Sequence, residues 1–177
     1  MFFWVEGPDD QRFFQKIIQP LFERTYLVVH VRQYSNMKKV KRNQFITGII
    51  GMGDDYVIVG DINSSPCVTG AKEILLEKFG FCDEEPRVIN ADRLMVIVRE
   101  IESWYLAGLS DLQCSKFGVS ILENTDSVTK GQFDRMIPHT FDSRVDFLME
   151  ILKVFSRDTA KQKNQSFGYF MTKHAIS

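Results

Sequence analysis

The chain has 177 residues, 22 of them basic and 23 acidic, for a formal net charge of −1. With 44% hydrophobic and 25% charged residues it has the composition of a folded globular protein of one-domain size, which excludes a disordered or collagen-like chain. A near-neutral total also excludes a globally basic surface, so any nucleic-acid site has to be a local patch, and no apolar run nears the ~20 residues of a membrane span.

The opening, Met1 to Gly7, has no basic leader and meets a carboxylate at Glu6, the pattern of a cytoplasmic protein without a signal peptide. Phe2 to Val5 is wholly apolar, as expected for a strand buried on both faces of a parallel sheet. Pro8, Asp9 and Asp10 suit the first turn of a helix, and Phe13, Phe14, Ile17, Ile18, Leu21 and Phe22 form its apolar stripe. Pro20 interrupts that stripe and predicts a kink or an early end.

Tyr26 to Val31 is rich in aromatic and β-branched residues and predicts a second strand. Residues 36 to 50 predict a helix with a basic face, and Tyr56 to Asp61 a third strand that ends in an acid. Ser64-Ser65-Pro66 is turn chemistry; Ala71, Ile74, Leu75 and Phe79 line the next helix, which Gly80 ends. Arg87 to Asn90 and Leu94 to Val98 read as further strands. Beyond Glu102 the pattern becomes helical: Glu102 to Leu109, a polar irregular stretch over 118–130, a helix around Leu148 to Phe155, and a last one from Asn164. The expectation is an α/β core of mostly parallel strands over residues 1–108 and a helical extension over 109–177, packed as one compact domain.

Ligands of open parallel sheets bind beyond the carboxyl ends of the strands. Three of the predicted strands end there in acids: Glu6 after the first, Asp61 with Asn63 after the third, and Glu100 and Glu102 after the last. Alone, each is equally a solvated carboxylate or a helix cap; together they predict an oxygen-rich cluster suited to a hard cation such as Mg²⁺ or Mn²⁺. Asp9 and Asp10 read first as helix-terminal acids, with Asp10 a secondary candidate for the cluster. A second patch, Arg32, Lys38, Lys39, Lys41 and Arg42 with no intervening acid, predicts contact with phosphate backbones, as does the basic stretch from Lys153 to His174.

Cys67, Cys82 and Cys114 include no Cys-x-x-Cys pair, and the histidines have no ligand spacing, so a zinc site is not expected; the thiols read as buried or half-buried. No phosphate-binding Gly-x-x-x-x-Gly-Lys-Ser loop is present. Trp104 and Tyr105 read as core rather than as stacking platforms.

Trp4-Val5-Glu6-Gly7-Pro8-Asp9-Asp10, followed by Phe13-Phe14, resembles the opening of Toprim domains. Val57 to Asn63 is similar to the family's second motif, with Asn63 where its second aspartate is usual. Val96 to Ala107, containing Glu100-x-Glu102-x-Trp104, and the tail Asn164 to Phe170 resemble segments of small bacterial and archaeal Toprim-like proteins, relatives of the Toprim domains of OLD-type nucleases. The resemblance implies Mg²⁺-dependent phosphoryl transfer on nucleic acid. It makes Glu6 a general acid/base or metal ligand, Asp61 and Asn63 metal ligands, and Glu102 with Glu100 the completion of the site. Lys130, read here as a loop residue, would stabilise charge on the phosphoryl group. Asn63 brings one charge fewer than an aspartate, which leaves open a catalytically weak module that binds nucleic acid or a protein partner, as in defence against mobile elements. A phosphotransferase outside this group, with a reactive Asp61, is the third reading.

Overall fold

The structure, a computed structural model, describes residues 1–62, 65–81 and 88–174. The turn expected at Ser64, the site residue Asn63, and Cys82 and Arg87 lie outside the described residues. The chain divides into two compact units, Met1–Val96 and Ile97–Ser177.

The first unit is built on β1 (Phe2–Val5), β2 (His30–Gln33), β3 (Tyr56–Asp61) and β4 (Leu94–Ile97), whose last residue falls at the division. They form one parallel sheet in the order β2-β1-β3-β4. The fold class is therefore α/β, as expected from strands alternating with helices. β1 is central, with Trp4 paired to Arg32 on one side and Ile58 on the other. A strand enclosed in this way needs apolar residues on both faces, and Phe3, Trp4 and Val5 are all buried.

Helix α1 (Pro8–Phe13) runs into a π-helical turn, Phe14–Ile18, and on into α2 (Gln19–Phe22). The kink or stop expected at Pro20 resolves as this widened turn, in which the Gln19 amide donates to the Phe14 carbonyl. Pro20 has no amide of its own, and the π turn absorbs that defect without breaking the helix. The stripe covers one sheet face: Phe3 packs on Phe14 and edge-on against Phe22, with ring centroids 5.4 and 4.7 Å apart. Helices α3 (Lys39–Gly51) and α4 (Val68–Lys78) cover the other, where Trp4, Ile58, Ile46, Ile49, Leu75 and Phe79 share a core cluster.

Two expected strands are corrected. β2 begins at His30 rather than Tyr26, because its partner β1 begins only at Phe2, which pairs with His30. Leu27 and Val28 precede that ladder and are exposed, while Tyr26 turns its hydroxyl onto Asp55, 2.7 Å away. Val88–Asn90 form no strand; the Asn90 side chain accepts from the Asp92 amide and starts a 3₁₀ turn, Ala91–Arg93, that leads into β4. Gly80 ends α4 as expected, at φ +86°.

The second unit is helical after Ile97: α5 (Ile101–Ala107), α6 (Asp111–Phe117), α7 (Lys130–Met136), α8 (Arg144–Val154), α9 (Arg157–Lys163) and α10 (Gln165–Lys173). Every residue of α5 is buried, Trp104 and Tyr105 completely, which bears out their reading as core. Around α5 lies a closed polar network. Trp104 Nε1 donates to Ser166 Oγ at 2.8 Å, Ser166 Oγ donates to Asn164 Oδ1 at 2.8 Å, and Asn164 Nδ2 donates to Ser103 Oγ and Thr125 Oγ1 at 3.3 and 3.1 Å. Asn164 also caps α10 through the Phe167 amide. Asn164 and Ser166 are buried, so each polar atom has to find its partner inside the protein. Among the described residues no helix is long and apolar enough to cross a membrane.

Candidate functional site

Asp61 is the last residue of β3, and Glu6 follows the last residue of β1. The parallel sheet therefore presents both at its carboxyl-terminal end. Tyr34, one residue past β2, is 1% exposed. Its hydroxyl donates to Glu6 Oε2 at 3.4 Å, and its pKa lies well above that of an ordinary tyrosine. Burial is the main cause, and the charges of Glu6, Asp10 and Asp61 add to it. Three carboxylates thus act on one hydroxyl within the first unit.

Asp10 is buried and accepts the Gly7 amide at 3.1 Å, closing the first turn of α1. Its neighbour Asp9 turns to Arg12 at 2.6 Å. Asp10 is thus the helix-terminal acid that the sequence predicts, with the Gly7 amide as its partner. Lys78, the last residue of α4, reaches Glu6 Oε1 at 3.0 Å. Neither Lys78 nor Tyr34 has a sequence signal for this role: they stand 72 and 28 residues from Glu6. Gly60 is needed beside Asp61, since a Cβ there would come within 2.5 Å of Leu75 and 2.9 Å of the Tyr34 hydroxyl.

Glu100 and Glu102 belong to the second unit. Glu102 is 4% exposed on the first turn of α5 and forms an ion pair with Arg144, whose guanidinium also binds Asp134 and lies 5.0 Å from the Phe133 ring centre. Burial pushes the Glu102 carboxyl up despite the opposing pull of Arg144; the charge of Glu100 pushes the same way as burial. Glu100, the residue before α5, accepts the backbone amide of Lys130. Lys130 is not a loop residue: Thr129 caps α7 and Lys130 is its first helical residue, because the Thr129-x-x-Gln132 capping box starts the helix there. Arg99, just before Glu100, has φ +67°, a left-handed conformation rare for a side-chain-bearing residue. Arg144 went unread in the sequence, where Ser143-Arg144 has only the look of a helix start.

In the basic patch Lys38, Lys39 and Lys41 are exposed. Arg42 is half-buried, its guanidinium 6.0 and 5.9 Å from the ring centres of Tyr34 and Phe79. Of the thiols, Cys114 is buried as expected, but Cys67 is exposed. Its sulfur accepts the Gly70 amide at 3.5 Å and caps α4, a role that keeps it at the helix surface.

All the donors of the first cluster are oxygens, which suits a hard cation better than a soft one. Among the described residues no group of three or more His, Cys, Asp and Glu is spaced to hold a metal ion. Lys78 already supplies Glu6 with a positive charge. Compared with known proteins, the chain matches no family model, no curated protein and no solved structure.

Proposed function

We propose that the protein is a Mg²⁺-dependent nuclease or phosphoryl-transfer protein acting on nucleic acid through the acidic cluster of its first unit. One observation carries the reading: Glu6 and Asp61 stand at the carboxyl ends of the paired parallel strands β1 and β3, and the buried Tyr34 hydroxyl donates to Glu6 Oε2 at 3.4 Å. The Toprim resemblance of Trp4 to Asp10 and of Val57 to Asn63 agrees with this placement, although Asn63 itself lies outside the described residues. Glu6 and Asp61, with Asn63 as the resemblance implies, would hold the cation, which when bound would polarise a phosphodiester and lower the pKa of a water. Glu6 is the residue suited to taking a proton from that water, and the Tyr34 hydroxyl orients Glu6. Lys78 balances the charge of Glu6 in its own right.

A specific observation favours a second reading. The Lys78–Glu6 pair at 3.0 Å meets part of the cluster's need for positive charge from within the chain, as expected of a catalytically weak module that binds nucleic acid or a protein partner. The two readings separate in a cleavage assay on plasmid DNA and on RNA. The enzyme reading expects cleavage that requires Mg²⁺ or Mn²⁺ and falls at least ~100-fold in Glu6→Gln and in Asp61→Asn, the scale of losing a positioned acid/base or ligand. Cleavage that survives both substitutions, or none in wild type with either metal, overturns it.

A further inference from the structure

The face of the first unit beneath α3 has a groove of about 620 Å³ that the acidic cluster does not use. Its floor follows from strand register. Phe2 and Trp4 are two apart on β1 and so share a face, and Arg32 pairs with Trp4 across the ladder. Among the described residues β2 is an edge strand, so the floor ends at Arg32. The wall is Lys41 and Phe45, four residues apart on one side of α3, with Met37 from the turn that precedes the helix.

The chemistry of this groove is aromatic and cationic. Phe45 is 47% exposed, a large cost for a core phenylalanine and a suitable one for a stacking surface. Its ring centre is 5.8 Å from that of Trp4, and the Lys41 ammonium also lies 5.8 Å from the Phe45 ring centre. Phe2 is half-buried beside them. Arg32 and Lys41 have no ion pair among the described residues, and exposed Lys38, the residue that caps α3, adds a further cation outside the groove lining. Trp4 Nε1 is buried with no hydrogen-bond partner among the described residues. The rim carries two amides, Gln33 donating to Gln11 Oε1 at 2.6 Å.

We propose that this groove seats a nucleotide of a single-stranded nucleic acid, its base against Phe45 and Phe2 and its phosphates on Arg32 and Lys41. A volume of this size takes a nucleotide, a π-face accepts any base, and cations that extend past the groove to Lys38 favour a strand over a lone nucleotide. An acidic peptide would satisfy the cations but would leave the aromatic surface unused. The inference rests on the nucleic-acid part of the proposed function and not on its metal chemistry.

Trp4 lines the groove and is the reporter; Trp104, buried against Ser166, gives a constant background. Wild-type protein in EDTA is titrated with a short oligo(dT) while tryptophan emission is followed. Quenching is expected, with affinity weakened at least ~5-fold in Phe45→Ala, since a base–aromatic stack is worth ~1–3 kcal/mol. The Arg32→Glu/Lys41→Glu double variant is expected to weaken binding similarly and to flatten the salt slope by about 1.4, at ~0.7 per lost phosphate contact on a single strand. Circular dichroism on each variant checks that it is folded; all three residues are exposed, so wild-type spectra are expected. Wild-type affinity in folded variants overturns the inference. Equal quenching by dTMP points to a free nucleotide and equal quenching by poly-glutamate to an acidic peptide, and either overturns it too. Loss of cleavage in Glu6→Gln with unchanged binding by the groove variants would sink this inference alone, and the converse pattern would sink the metal-dependent reading alone.

Discussion

The two units treat their carboxylates in opposite ways. In the first, Glu6 and Asp61 end paired strands of one sheet, and half-exposed Glu6 takes a hydroxyl from Tyr34 at 3.4 Å and one lysine at 3.0 Å. In the second, Glu102 is buried but matched by a guanidinium that also holds Asp134. A partly exposed carboxylate at a sheet end stays open to water and solutes, whereas a matched buried pair is self-contained. The first arrangement leaves Glu6 accessible, and the second ties Glu102 into a helical unit.

The comparison breaks most easily at Arg144. Arg144→Met is expected to destabilise the second unit by ~3–5 kcal/mol at neutral pH, because it leaves Glu102 buried and charged. Adding Glu102→Gln should recover much of that loss, and the deficit should shrink in acid, where Glu102 takes up a proton. Urea unfolding of both variants at two pH values measures this. Full additivity of the two substitutions would show that the pair is not coupled.

Asn164→Ala comes next. It removes the cap of α10 and strands the polar atoms of Ser103, Thr125 and Ser166, for an expected ~2–3 kcal/mol in the same assay. A loss under ~0.5 kcal/mol would mean that the network is not needed.

Lys78→Met sharpens the contrast from the other side. Its pair with Glu6 is partly exposed, so the expected loss of stability is only ~1 kcal/mol. Mg²⁺ should raise the melting temperature of Lys78→Met more than that of wild type, because the cluster has lost its own cation. An equal Mg²⁺ response in the two proteins would argue that Glu6 takes no part in holding the ion.

The smallest expected effect is in pH. Burial raises the Glu102 carboxyl, so its contribution to stability is complete below the pKa of the unfolded carboxyl, about 4.3, and is lost as pH rises through the raised folded value. Asp55 in the first unit is held low, first by the Tyr26 hydroxyl and then by Arg93. Its contribution is complete above about pH 3.9 and is lost as pH falls through the lowered folded value. Amide exchange resolved by segment should therefore show acid loosening around Tyr26, Asp55 and Arg93 while α5 tightens. The same trend in both places would remove the distinction.

How much of this was legible depended on the range of the interaction. β1, β3, β4, α3 and α4 were readable, because an apolar strand, a basic helix face and a Gly80 stop are written in adjacent residues. The starts of α6, α7 and α9 were written too, in Ser110, Thr129 and Ser156, but their short helices carry too little periodicity for the caps to be noticed. The strand run from Tyr26 misled, because strand propensity cannot say where a partner strand begins.

Glu6 and Asp61 were singled out from sequence because each directly follows or ends an apolar strand, and strand direction alone sends both to one end of a parallel sheet. The parts played by Tyr34, Lys78 and Arg144 came only from the tertiary structure. Each acts on a carboxylate far away in sequence, and Coulomb and hydrogen-bond forces depend on distance in the folded chain, not on separation along it.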